Sequence, residues 1–179
     1  MTPESSQKQF RQLRILSNPT RLDIYTNLWT DGPGTALEIA SRLGTDDLLT
    51  YYHLRQMVAA GLLEKTSVSG VTRNTSVFSA TSRMSIDNLD VTEEITMKAM
   101  GKFVEAIAKR MTHEYRAAAD ALGNEIHKRS HISRVATRLT AEKQAELKRK
   151  ITELSEWIDQ NSSPEGDRLA VTVAVIPLS

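Results

Sequence analysis

The chain has 179 residues, 40% hydrophobic and 25% charged, with 23 Lys and Arg against 22 Asp and Glu and a formal net charge of +1. That balance fits a globular chain and gives no compositional case for global disorder. It lacks the strong basic excess that would alone point to nucleic acid, so any polyanion partner must be met by charge arranged on one face. The absence of cysteine excludes disulfides, thiolate metal sites, iron–sulfur clusters and cysteine nucleophiles. The polar start MTPESSQKQF is not signal-peptide-like and no apolar run reaches bilayer length, so the expectation is a cytoplasmic protein without a membrane span.

Residues 7–17 place Phe10, Leu13, Ile15 and Leu16 at helical spacing. Asn18-Pro19 starts a second helix: Asn18 caps it and Pro19 sits in the first turn, where no amide donor is needed. This helix carries Leu22, Ile24, Tyr25, Leu28 and Trp29 and stops at Asp31-Gly32-Pro33-Gly34. A short third helix is expected from Thr35 to Leu43, closed by Gly44 in the left-handed conformation, and a fourth, capped by Thr45, through Ala60. Leu62–Thr66 and Thr75–Ala80, around a polar bend at 67–74, read as a hairpin. The order is helix, helix, helix-turn-helix, hairpin.

Residues 81–91 read as a linker. From Thr92 to Leu122, Met97, Met100, Val104, Ile107, Met111, Tyr115, Ala118 and Leu122 recur by threes and fours along one helix. At 1.5 Å per residue it is on the order of 45 Å long, too long to bury its stripe on an 80-residue domain, and a second copy is the simplest partner. Residues 123–139 are ambiguous and partly extended. Thr140–Gln160 is another helix with Leu147, Ile151, Leu154 and Ile158 as its stripe, and Arg168–Leu178, rich in β-branched residues, is the strongest strand candidate in the chain.

The segments Asn18-Pro19-Thr20-Arg21, Leu37-x-Ile39-Ala40-x-x-Leu43-Gly44 and Thr50-Tyr51-Tyr52-His53-Leu54-Arg55-Gln56-Met57-Val58-Ala59-Ala60-Gly61-Leu62 resemble the ArsR-type winged helix-turn-helix regulators over roughly residues 10–80. The resemblance implies repression or activation of transcription by a homodimer on double-stranded DNA, often tuned by a small-molecule effector. The expected fold is mainly α with a small β component. A winged helix-turn-helix at 1–80 precedes the 81–91 linker and a helical dimerisation region at 92–179 that ends in a short strand.

In such an arrangement the second helix of the pair enters the major groove. With Leu54, Met57, Val58 and Thr50 turned to the core, Leu48, Leu49, Tyr51, Tyr52 and Arg55 face DNA, and Thr72, Arg73 and Asn74 form the wing tip. Arg55 suits guanine or phosphate, the tyrosine hydroxyls suit phosphates, and their rings suit thymine methyls. Arg73 fits a minor groove. His53 stands where the family places its histidine and is read as bracing the turn. Asp46 and Asp47 suit the helix N-terminus but would repel phosphates if turned outward.

Met100, Phe103, Met111, Tyr115 and Trp157 are candidates for an effector pocket, although such a stripe usually serves as core. His113, Glu114, Asp120, His127 and His131 do not reproduce the family's metal spacing, and no metal or cofactor is expected. Gly32-Pro33-Gly34 lacks the Gly-Lys-Ser/Thr ending of a phosphate loop and there is no serine elbow, so no enzyme is expected. The alternative function is a winged helix that binds another protein instead of specific DNA.

Overall fold

The computed structural model describes residues 3–68, 75–81, 94–163 and 165–176. Two compact units divide the chain, Met1–Thr112 and His113–Ser179.

In the first unit, helix α1 spans Pro3–Leu16 and α2 Pro19–Thr30. Between them Asn18 is the N-cap of α2, its side chain accepting from the Arg21 amide, with Pro19 in the first turn as expected. Strand β1, Gly34–Thr35, leads directly into α3, Ala36–Leu43. Thr35 caps α3 in a reciprocal box: its hydroxyl accepts from the Glu38 amide at 3.2 Å, and its own amide donates to Glu38 Oε2 at 2.7 Å. These bonds, the backbone one foremost, hold the Glu38 carboxyl below the usual carboxylate range.

Gly44 closes α3 at φ +63°, the left-handed geometry that favours glycine. The next helix, α4, spans Asp47–Ala59. Its N-cap is Asp46, accepting from the Leu49 amide at 2.8 Å, and not Thr45 as expected. Thr45 Oγ1 instead lies 2.9 Å from the buried Thr50 hydroxyl. A carboxylate is the better acceptor at a helix N-terminus because it also meets the positive end of the helix dipole.

Strands β2, Leu63–Val68, and β3, Thr75–Ala80, form the expected antiparallel hairpin, in register Leu63 to Ala80. β1 adds to the other side of β3, Gly34 opposite Phe78 and Thr35 opposite Val77, giving the order β1-β3-β2. Leu13, Leu16, Ile24, Ile39, Leu54, Met57 and Phe78 are fully buried and join one apolar cluster. The residues form a winged helix-turn-helix.

Helix α5 runs from Glu94 to Leu122, so its first part belongs to this unit. Thr96, Ala99, Phe103 and Ala106 are buried, and the latter three join the same cluster as Leu13 and Leu16. Ser17 Oγ donates to the Ala99 carbonyl at 3.2 Å, and Arg110 forms an ion pair with Asp23 of α2. The expected stripe is therefore displaced by about one residue: Met100 and Ile107 pack on the core, while Met97, Val104 and Met111 are exposed. Small side chains explain the shift. Ala99 and Ala106 are buried in the cluster beside Phe103, and a count of large apolar residues passes over such small side chains.

The second unit contains the end of α5, a 3-10 turn at Gly123–Glu125, α6 at Ile126–Arg129 and α7 at Ala141–Gln160. Of residues 123–139, read from sequence as ambiguous and partly extended, those to Arg129 are helical, and 130–140 carry no regular structure. Thr140 caps α7, accepting from the Lys143 amide, and Arg129 pairs with Asp167.

Among the described residues the expected C-terminal strand is absent. Residues 167–176 carry no regular structure, and Leu169, Val171, Val173, Val175 and Ile176 are exposed. β-branched composition favours extended backbone, but a strand also needs a hydrogen-bonded neighbour, and no described strand pairs with this segment. Among the described residues no helix is long and apolar enough to cross a membrane. The proposed wing-tip residues Thr72, Arg73 and Asn74, and residues 82–91 of the proposed linker, lie outside the described residues.

Candidate nucleic-acid interface

Helix α4 has two sharply different faces. Thr50, Leu54 and Met57 are buried to within 1% of full burial. On the opposite side Leu48 (76% exposed), Tyr52 (56%), Tyr51 and Arg55 are uncovered, and their spacing of three and four residues places them on one face, with Leu49 flanking it and also exposed. The structure thus brings together all five residues assigned to this helix from sequence. Arg55 is the only Lys or Arg between Asp46 and Lys65. Asp46 is engaged at the cap; Asp47 is the first residue of the helix and exposed.

The two tyrosines are held by different neighbours. The Tyr51 ring meets Phe78 of β3 edge-on at 6.2 Å, and Lys65 Nζ of β2 lies 6.0 Å from its centroid. The Tyr52 ring meets the His53 imidazole at 5.6 Å. His53 is half-buried, its Nδ1 without a hydrogen-bond partner among the described residues. Burial first, and then the charge of Arg21, lower its pKa from the ordinary 6.5, so the ring is neutral near pH 7. A neutral, inward-set imidazole fits the bracing role expected of it.

Sequence reasoning assigned no role to Arg21 or Gln56. Arg21, from the first turn of α2, donates to the Gln56 side-chain carbonyl, tying α2 to α4. Arg21 stands in the Asn18-Pro19-Thr20-Arg21 segment, which was the available signal; its partner could not be read from spacing because they lie 35 residues apart. Lys65 beside Tyr51 is likewise a contact made only by the hairpin.

The five residues considered for an effector fall in different environments. Phe103 is buried in the core of the first unit, and Met100 packs against it. Met111 is exposed on α5, and Tyr115 and Trp157, in the second unit, are exposed. Among the described residues no group of His, Asp and Glu is arranged to hold a metal ion.

Comparison with known proteins agrees with this fold over the first unit. Residues 16–66 match a family of helix-turn-helix domains. That segment begins at the end of α1 and ends inside β2, so it contains α2, α3, α4 and every residue of the outward face. No curated protein matches the chain. Among solved structures, the transcriptional regulator Tm0710 from Thermotoga maritima is similar at 16% identity over 80% of this chain and 78% of that one, with a TM-score of 0.33.

Proposed function

We propose that the chain is a sequence-specific DNA-binding transcriptional regulator that acts as a homodimer. The observation that carries this reading is the division of α4: a helix fixed by a fully buried inner face, following a tight left-handed turn at Gly44, with its outer face uncovered. A helix presented in this way fits a major groove about 12 Å wide. Thr72, Arg73 and Asn74 are assigned to the wing contact on the basis of sequence.

Support for a dimer comes from α5. Met97, Val104 and Met111 recur every seven residues and are exposed, the seam a second copy of the helix would cover. Two recognition helices would then read half-sites about 34 Å apart. Control by a small effector belongs to the same reading and would register as a ligand-dependent change in operator affinity.

The test is titration of the chain against its own promoter-region DNA and against unrelated duplex of equal length, across salt. Preference for the promoter that weakens steeply with salt is expected, and Arg55→Ala should weaken it without altering dimerisation. Equal binding to both duplexes would reject sequence specificity. A second reading, a winged helix that binds another protein, is favoured by the net charge of +1 and by the single basic residue on α4. Absence of DNA binding even at low salt would select it.

A further inference from the structure

The outward face of α4 carries an unusual chemistry for a helix that reads bases. Direct readout of guanine uses Arg or Lys, and readout of adenine uses the bidentate amide of Asn or Gln. Here the outward set is two leucines, two tyrosines and one arginine. The only amide side chain in α4 is Gln56, and its carbonyl oxygen accepts from Arg21. Half-buried and tied back to α2 by this bond, the amide is not part of the exposed face. Of the side chains of α4, Arg55 alone is equipped to read a guanine.

What the face does offer is exposed apolar surface at fixed positions. Leu48 and Leu49 lie in the first turn, the end that penetrates deepest when a recognition helix docks through its N-terminal residues. Tyr51 is steadied by Phe78 and Lys65, and Tyr52 by His53. The one apolar group that B-DNA displays in the major groove is the C5-methyl of thymine.

We propose that this face reads its half-site mainly by contacts of Leu48, Leu49 and Tyr52 with thymine methyl groups, with Arg55 supplying at most one guanine contact. The target is then a half-site with several thymines on its groove edge. This inference deepens the proposed DNA-binding function and rests on it.

The experiment selects bound duplexes from a random library with the full-length chain, then replaces each thymine of the selected half-site by deoxyuridine, which removes the methyl and leaves base pairing intact. Selected half-sites should be thymine-rich with no more than one fixed guanine. Each contacted methyl removed should weaken binding about four-fold, the worth of one methyl-sized group taken out of water. In Leu48→Ala, whose side chain is exposed and outside the core, one thymine position should lose its sensitivity to deoxyuridine while the others keep theirs. Specific binding that is indifferent to deoxyuridine, or a half-site fixed by several guanines, overturns the methyl readout and leaves the regulator standing. Failure to select any sequence overturns both.

Discussion

Phe103 lies outside the segment that resembles a winged helix, yet it is 7% exposed within that domain's core. Replacing it with alanine removes the ring from contact with the cluster around Leu13 and Leu16. Losing roughly 100 Å² of buried apolar surface costs about 2.5 kcal/mol at 25 cal/mol per Å². A cavity that failed to collapse would add about 2 kcal/mol more, so Phe103→Ala should destabilise by about 2.5–4.5 kcal/mol. The neighbouring Val104 is 47% exposed, and Val104→Ala should change protomer stability by no more than about 0.5 kcal/mol. Urea unfolding followed by far-ultraviolet circular dichroism, at a protomer concentration too low for dimers to form so that the seam contact proposed for Val104 does not contribute, separates the two. Equal effects of the two substitutions, or a loss below about 1 kcal/mol for Phe103→Ala, would refute the assignment of α5 to the first core.

Three further outcomes are expected. Thr35→Ala removes the cap of α3 and should cost about 1 kcal/mol in thermal or urea unfolding. His53 has a folded pKa below its ordinary 6.5, so the unfolded chain binds the extra proton first, and stability should fall as pH drops below about 6.5 and level off below the folded pKa. In His53→Gln that slope should be shallower than in the parent, read from urea midpoints at several pH values; an unchanged slope would remove His53 as its source. Val104→Glu combined with Met111→Glu should convert the proposed dimer to monomer in sedimentation while leaving the circular dichroism spectrum intact, because both positions are exposed.

Local chemistry made much of the first unit readable. Asn18-Pro19, Thr35 with Glu38, and Gly44 each satisfy backbone groups within a few residues, so their signals are contained in the sequence around them. The inner and outer faces of α4 followed from period alone. The misreadings arose where a partner elsewhere decides. β1 has two residues and exists because β3 offers a free edge; the cap of α4 went to Asp46 because a neighbouring hydroxyl was drawn to Thr50. On α5 the contact ran through Thr96, Ala99 and Ala106, whose small size is invisible to a search for large apolar side chains. Residues 169–176 have strand composition without a strand beside them. Arg21 and Gln56 needed the tertiary fold to meet.

Thr35 is at once the ladder partner of Val77 and the N-cap of α3. One residue therefore belongs to the sheet on one side and to the helix-turn-helix on the other, with no slack between them. Inserting a single residue after it would force a choice between the strand pairing and the cap. Length in this connection is thus a fixed dimension of the design, and related chains that share β1 should vary there in composition before they vary in length.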